Sequence, residues 1–328
     1  MPGLRQVPAT LESCLRLLLG VLLAGMAFAS AGVFAGTARA QATTPRAYAP
    51  LVVKNVGVNN TGIQVQNISG TPATVQVVYY DQLGRNLPFW NETQTVGVNA
   101  SVTFYQGANP NLPQGFDGSA VINASQNVRA IINHADYSRG KASSGSFAAP
   151  VSGTAQVFLP AVFGGFNSYF TTINVQNAGT TRATYTVSLY PEGGATPIAT
   201  IPRVLEPFAA DRLRLAGTIG MPNLTGSAVI TSSDGTLVAT AETVSESNHI
   251  MLSYAGFPPG ANAPNTPLLF KNYTTQGTWT STAHVMNTSA ASVTVRPTWF
   301  QRDSAVEYRP GPDSRAQRDR HVHARGLP

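Results

Sequence analysis

Few residues in this 328-residue chain have the types and spacing that chemistry requires. Ser138-Arg139-Gly140-Lys141 matches the Ser-x-x-Lys pattern, in which a lysine one helical turn away eases proton removal from a serine nucleophile. That chemistry needs a helix, and the surrounding residues show no helical period, so the match reads as coincidence. His134-Ala135-Asp136 would place an imidazole and a carboxylate on one face of a strand. A metal site needs three or four ligands, and the sequence fixes no third, so the pair reads as a polar strand end. His321 and His323 lie in a C-terminal tail of foreign composition and carry little weight. The chain has no Gly-x-Ser-x-Gly elbow, His-Glu-x-x-His helix, phosphate-binding glycine loop or dinucleotide fingerprint. The expectation is a protein with no catalytic residues, no cofactor and no metal.

Aromatic residues offer another kind of site. Trp90, Trp279, Trp299 and the pair Tyr79-Tyr80 could form a platform that stacks on sugar rings. Neighbours in a strand face opposite ways, so one of Tyr79 and Tyr80 is expected to be exposed and the other to pack in the core. These two are the candidate binding residues. Core packing is the competing reading for all five. The Asn-x-Ser/Thr matches at Asn67, Asn91 and Asn223 mark possible acceptors and nothing more in an Asn- and Thr-rich chain.

Charge excludes further classes. The formal net charge is +6, but it sits at the ends: +2 over residues 1–40, +1 over 41–295 and +3 over 296–328. A nearly neutral body has no footprint for a polyanion, so no nucleic-acid partner is expected. The only cysteine, Cys14, lies in the N-terminal segment, which excludes a disulfide scaffold and a thiolate site from the rest. Hydrophobic residues make up 43% of the chain and are spread throughout, which excludes charge-driven disorder.

The N-terminus reads as an address. Arg5 and Arg16 precede an uncharged apolar run from Leu17 to Gly36, followed by Ala38-Arg39-Ala40. That is a basic region, an apolar region and a small-x-small cleavage site, and residues 1–40 are expected to be a signal peptide. The run is long for such a segment, so an uncleaved anchor is the alternative, and the one expected route to a membrane.

The elements behind these residues repeat. Gln66-Asn67 recurs as Gln176-Asn177, and Asn287 follows at the same interval of 110. Tyr79-Tyr80 maps onto Leu189-Tyr190 and Trp299-Phe300, and Gly118–Ile122 onto Gly226–Ile230. A period near 110 is too long for a stacked solenoid and matches one small sandwich domain. Within the unit, Ile63–Asn67 alternates apolar and polar, Thr74–Tyr80 is β-branched and aromatic, and Ser101–Tyr105, Ser119–Ala124 and Val128–His134 read as further strands. About seven strands per unit predict an all-β chain of tandem immunoglobulin-like antiparallel β-sandwiches behind an N-terminal signal helix. The expected boundaries are repeat 1 over 46–140, a linker over 141–154, repeat 2 over 155–257, a linker over 258–266, a partial repeat 3 over 267–303 and a basic tail over 304–328. In repeat 3, strands are expected at Thr280–Met286 and Ser292–Phe300. Correspondence stops near Asp303, inside a domain, so a frameshift or truncation is the favoured origin of the tail.

The unit resembles immunoglobulin-like repeats of bacterial secreted and cell-surface proteins. The residues that carry the resemblance are Phe158-Leu159-Pro160, Val65-Gln66-Asn67 with Val175-Gln176-Asn177, and the Gly-Ser-Ala-Val-Ile strand. It covers roughly 46–303, and its motifs are structural. It implies an extracellular role with no established activity. The expected role is that of a non-catalytic structural or adhesive protein at the cell surface, its partner unknown, with a surface glycan or another envelope protein as the candidates. The alternatives are a carbohydrate-binding module and, behind it, a secreted hydrolase.

Overall fold

The computed structural model describes residues 46–136, 143–216, 223–245, 247, 250–260, 270, 273–274, 278–300 and 307–308. All belong to one compact unit, Thr44–Pro328. The expected signal peptide, the Ser138–Lys141 motif, most of the second linker and nearly all of the tail lie outside the described residues. Among those described, the structure is antiparallel β, and the helical turns are three 3-10 turns of three residues each. No helix among them is long and apolar enough to cross a membrane.

Sixteen strands carry the architecture. The first eight are β1 (Arg46–Lys54), β2 (Asn59–Asn67), β3 (Ala73–Asp81), β4 (Glu92–Val96), β5 (Ser101–Tyr105), β6 (Phe116–Ala124), β7 (Val128–Asp136) and β8 (Ser143–Ala148). They form two four-stranded sheets, β1-β6-β3-β4 and β5-β2-β7-β8. One core lies between them, with Ile63, Val77, Tyr79, Phe104, Ile122 and Ile132 at its centre. The next eight are β9 (Gln156–Gly164), β10 (Tyr169–Asn177), β11 (Ala183–Pro191), β12 (Ala199–Leu205), β13 (Ala210–Arg214), β14 (Leu224–Ser232), β15 (Leu237–Ser245) and β16 (Ile250–Ala255). Their order is β12-β11-β14-β9 on one side and β13-β10-β15-β16 on the other. A single pairing, Phe170 with Gly164, links these rows into one eight-stranded sheet. A second core fills the space between, around Leu159, Ile173, Tyr185, Leu189 and Ile230. Both halves are thus sandwich-like, and the strand order of β9–β16 follows that of β1–β8 position by position.

Alternation explains the outer strands. β3 and β7 each bury every second residue, as a strand with one dry face must. β1 departs from this, since every residue from Ala47 to Lys54 is buried. β10 is also buried through its last five residues. Burial on both faces means that each strand has a core on one side and a second protein surface on the other.

The segment 141–154, read from sequence as a linker, contains β8. Ser143–Ala148 pairs with β7 along six residues, from Asp136↔Ser143 to Ile131↔Ala148. Its Ser/Gly composition has little β propensity of its own, and the open edge of β7 supplies the ladder. The strands expected at Thr280–Met286 and Ser292–Phe300 do not form as such. Residues 280–298 carry no ladder, and only Trp299–Phe300 pairs, with Glu307–Tyr308. A strand exists through a ladder of hydrogen bonds to a neighbour; here Ser281 N–H donates to Phe270 O at 2.8 Å, and no ladder extends from it among the described residues.

Candidate functional site

The feature that most distinguishes this molecule is the junction between its two sandwiches. Strands β1, β6 and β8 of the first meet β10, β13, β15 and β16 of the second. Its apolar part is Tyr48, Val121, Ala178 and Val238, flanked by Tyr80 and Phe208. Around it lie directional bonds. The Ser119 hydroxyl donates to Phe208 O at 2.6 Å, the Gln176 amide to Ala120 O at 3.2 Å, and the Tyr48 hydroxyl to Ala178 O at 3.3 Å.

An ion pair and a histidine–carboxylate contact close the seam. Arg212 Nη2 lies 2.6 Å from Asp117 Oδ1, and His134 Nδ1 lies 2.6 Å from Glu242 Oε2. Strand geometry positions them. Asn174 of β10 pairs with Arg212 on one side and Thr240 on the other, and Glu242 stands two residues along from Thr240. Arg212 and Glu242 therefore share the outward face of their sheet. Burial pulls the Arg212 guanidinium down from its usual range, while the Asp117 and Glu242 charges hold it up. Polar groups drawn out of water persist when partnered, and each of these four has its partner in the opposite sandwich. Single-sequence reasoning missed Glu242, Arg212 and Asp117, because nothing in their spacing reveals a partner about a hundred residues away.

Of Tyr79 and Tyr80, the candidate sugar-binding pair, one faces the core and the other faces out, as alternation requires, but the outward one is not exposed. Tyr79 is fully buried. Its hydroxyl donates to Glu92 Oε2 at 2.6 Å and accepts from Gln106 Nε2 at 3.0 Å. Burial, and then the Glu92 charge, push its phenol far above the usual tyrosine range. Tyr80 is half-buried in the junction, its ring 4.9 Å from that of Phe208. The second sandwich covers the face that strand alternation turned outward, so neither ring offers a free platform. Trp90 is buried against Phe116 at 5.5 Å. The side chains of Trp279 and Trp299 lie outside the described residues. His134 does not act with Asp136 as a pair, because it turns to Glu242. Among the described residues no group of three or more His, Cys, Asp or Glu comes together.

A second recurring device is legible in the sequence and explained by the structure. Asn67 is fully buried at the end of β2, and its amide donates to Thr71 O, Val96 O and Gly97 O at 2.7, 3.1 and 3.1 Å. Asn177 does the same at the end of β10, toward Thr181 O, Leu205 O and Glu206 O. Asn287 donates to Ala291 O at 2.7 Å. Each Oδ1 accepts the N–H two residues on, from Ser69, Gly179 and Ser289. Only a side chain with both donors and an acceptor can satisfy these backbone groups together.

Phe158, Tyr190 and Val229 form a further apolar group, with Met286 packed against it. Phe158 and Tyr190 stand 110 residues after Tyr48 and Tyr80 of the junction. Met286 thus touches the second sandwich at the positions that correspond to those by which the first sandwich meets the second.

No family model matches this chain, and no curated protein matches it. Among solved structures, the crystal structure of Thermotoga maritima 1070 aligns at TM-score 0.28 and 17% identity, over 32% of this chain and 94% of that one. Bacteroides uniformis beta-glucuronidase 2, covalently bound to cyclophellitol-6-carboxylate aziridine, aligns at TM-score 0.15 and 13% identity, over 64% of this chain and 25% of that one. Likeness at these levels carries no argument about fold or activity.

Proposed function

We propose that this chain is an exported, non-catalytic structural or adhesive protein of the cell surface, built from tandem immunoglobulin-like sandwiches held in fixed relative orientation. The observation that carries this reading is the junction. Apolar packing, backbone-directed hydrogen bonds, the Arg212–Asp117 ion pair and the buried His134–Glu242 contact tie one sandwich to the next, where a flexible array would have an exposed linker. A stiff series of sandwiches suits a spacer that displays a surface at a distance. The matched strand orders, and the three asparagine clasps at intervals of 110, support the reading as tandem repeats. The apolar run before Ala40 supports export.

The test is direct. Expressed in a bacterial host, the full chain is expected outside the cytoplasmic membrane, with its N-terminus after Ala40. Small-angle scattering is expected to give a single rigid shape. Retention in the cytoplasm with Met1 intact would overturn export. A scattering profile that needs many inter-sandwich orientations would overturn the rigid spacer.

A further inference from the structure

The first sandwich has a sheet face that corresponds to the one the second sandwich uses in the junction. In the second, Asn174 of β10 pairs with Arg212 of β13 and Thr240 of β15. In the first, Gln64 of β2 pairs with Thr103 of β5 and Ile131 of β7. The shared register puts Thr103 where Arg212 stands, Asn133 where Glu242 stands and Arg129 where Val238 stands. The cation, the carboxylate and the apolar contact of the junction are thus all missing from this face. A sandwich seated here by the same rule would find no ion pair and would press against a guanidinium.

What the face carries instead selects another kind of ligand. Gln64, Gln66, Thr103 and Arg129 are exposed, and Tyr105 is 47% exposed. The Tyr105 ring is held in place by two glycines. A Cβ at Gly107 would sit 2.6 Å from its Cζ, and one at Gly62, its partner across the ladder, would sit 3.9 Å from its Cδ2. The ring is therefore oriented before any ligand arrives. Arg129 stands two strands across and two rows along from Tyr105, about 17 Å away by strand geometry, with Gln64 between them. One of its donors, Nη1, is spent on Val128 O at 3.2 Å. Among the described residues of this face Arg129 is the only charge. A half-exposed phenol ring suits the apolar CH face of a sugar, and uncharged amides suit its hydroxyls. A lone guanidinium is complementary to a carboxylate, which it can grip through two parallel bonds. We propose that the β5-β2-β7 face of the first sandwich binds an oligosaccharide containing uronic acids. One pyranose ring stacks on Tyr105, the Gln64 and Gln66 amides take hydroxyls, and Arg129 takes a carboxylate. This names a partner for the adhesive reading above, and binding by the purified chain depends neither on export nor on stiffness.

Isothermal titration of the purified full chain tests this, with oligogalacturonate, oligomannuronate and hyaluronan fragments as probes. The methyl ester of oligogalacturonate and inorganic polyphosphate are the comparisons. At least one uronic-acid probe is expected to bind more tightly than the ester and than polyphosphate. Tyr105→Ala is expected to weaken that binding about tenfold, through loss of the stacked ring. Arg129→Gln is expected to weaken it by about the same factor and to leave the ester unaffected. Both side chains are exposed, so circular dichroism of the two variants is expected to match wild type. Absence of binding by every uronic-acid probe at millimolar concentration overturns the site. Binding that survives both substitutions places the ligand elsewhere and overturns it equally. Polyphosphate binding as tight as the best glycan reduces the face to simple charge attraction and overturns the sugar assignment. Ester binding as tight as the acid overturns the carboxylate. None of these outcomes alters the scattering profile, so the rigid spacer stands or falls separately.

Discussion

The imidazole of His134 and the carboxylate of Glu242 meet at 2.6 Å across the junction, 108 residues apart in the chain. Their side chains are 8% and 12% exposed, so neither is well solvated. Removing one partner leaves the other buried and unpaired. Glu242→Ala is expected to cost about 3 kcal/mol, within the range for broken buried pairs. Replacing both together, as His134→Phe with Glu242→Met, is expected to be nearly neutral. Urea unfolding of Glu242→Ala, and of the cycle of wild type, His134→Phe, Glu242→Met and the double variant, checks both statements. A double-variant loss equal to the sum of the two single losses would show that the pair contributes no coupling.

Gly118 and Gly226 test the sandwiches themselves. A Cβ at Gly118 would sit 2.0 Å from Tyr80 O, and one at Gly226 would sit 1.9 Å from Tyr190 O. Each glycine faces the register shift in the edge strand beside it, at Val52 and Val162. The obstacle is backbone and cannot swing aside. Gly118→Ala and Gly226→Ala are each expected to destabilise by about 3 kcal/mol or to prevent folding. Thermal melts of the two variants would report it, and wild-type melting in either would refute the close approach.

The asparagine clasps predict a chemical specificity. Asn67→Asp keeps the size but loses the donor that serves three carbonyls, and it places a charge in a dry site. It is expected to be at least as damaging as Asn67→Ala, which leaves the carbonyls unsatisfied at about 1–3 kcal/mol. The same order is expected at Asn177. Denaturant midpoints of the four variants would establish the ranking.

Three tyrosines set the alkaline limit. Burial raises the phenols of Tyr79, Tyr185 and Tyr254 well above the ordinary tyrosine value near 10, with added repulsion from Glu92 and Asp211 at the first two. A raised folded value means that the neutral form is the one folding favours. Their contribution is therefore complete below about pH 10 and falls as pH climbs beyond it. Ultraviolet titration is expected to show these phenols ionising together with unfolding. Smooth ionisation of all eleven tyrosines in a folded chain would contradict their burial.

Much of the fold was legible in the sequence. Strands such as Ile63–Asn67 and Val128–His134 announce themselves by alternation, because each has one dry face. The phase of β3 was readable too, since Val75, Val77 and Tyr79 share a face and Thr74 and Gln76 the other. β8 was hidden, because a Ser/Gly segment becomes a strand only beside the edge that receives it. Lys54 was hidden for a related reason: the loop whose Asn109 and Leu112 carbonyls hold it is far off in sequence, and a lone lysine reads as surface. The junction was least visible, because two-sided burial looks like an ordinary apolar strand until the second body is present.

The junction joins unlike surfaces, the β1-β6-β8 side of one sandwich and the β10-β13-β15-β16 side of the next. A contact between unlike surfaces carries a rotation and a translation, and unless that rotation closes into a ring it defines a screw axis. Tyr48 and Tyr80 mark this step, and Phe158 and Tyr190, 110 residues further on, hold Met286 at the corresponding positions of the second sandwich. Adding sandwiches by this rule would lengthen the molecule along a set helical path, so that its reach would scale with the number of units while its direction stayed encoded in each joint.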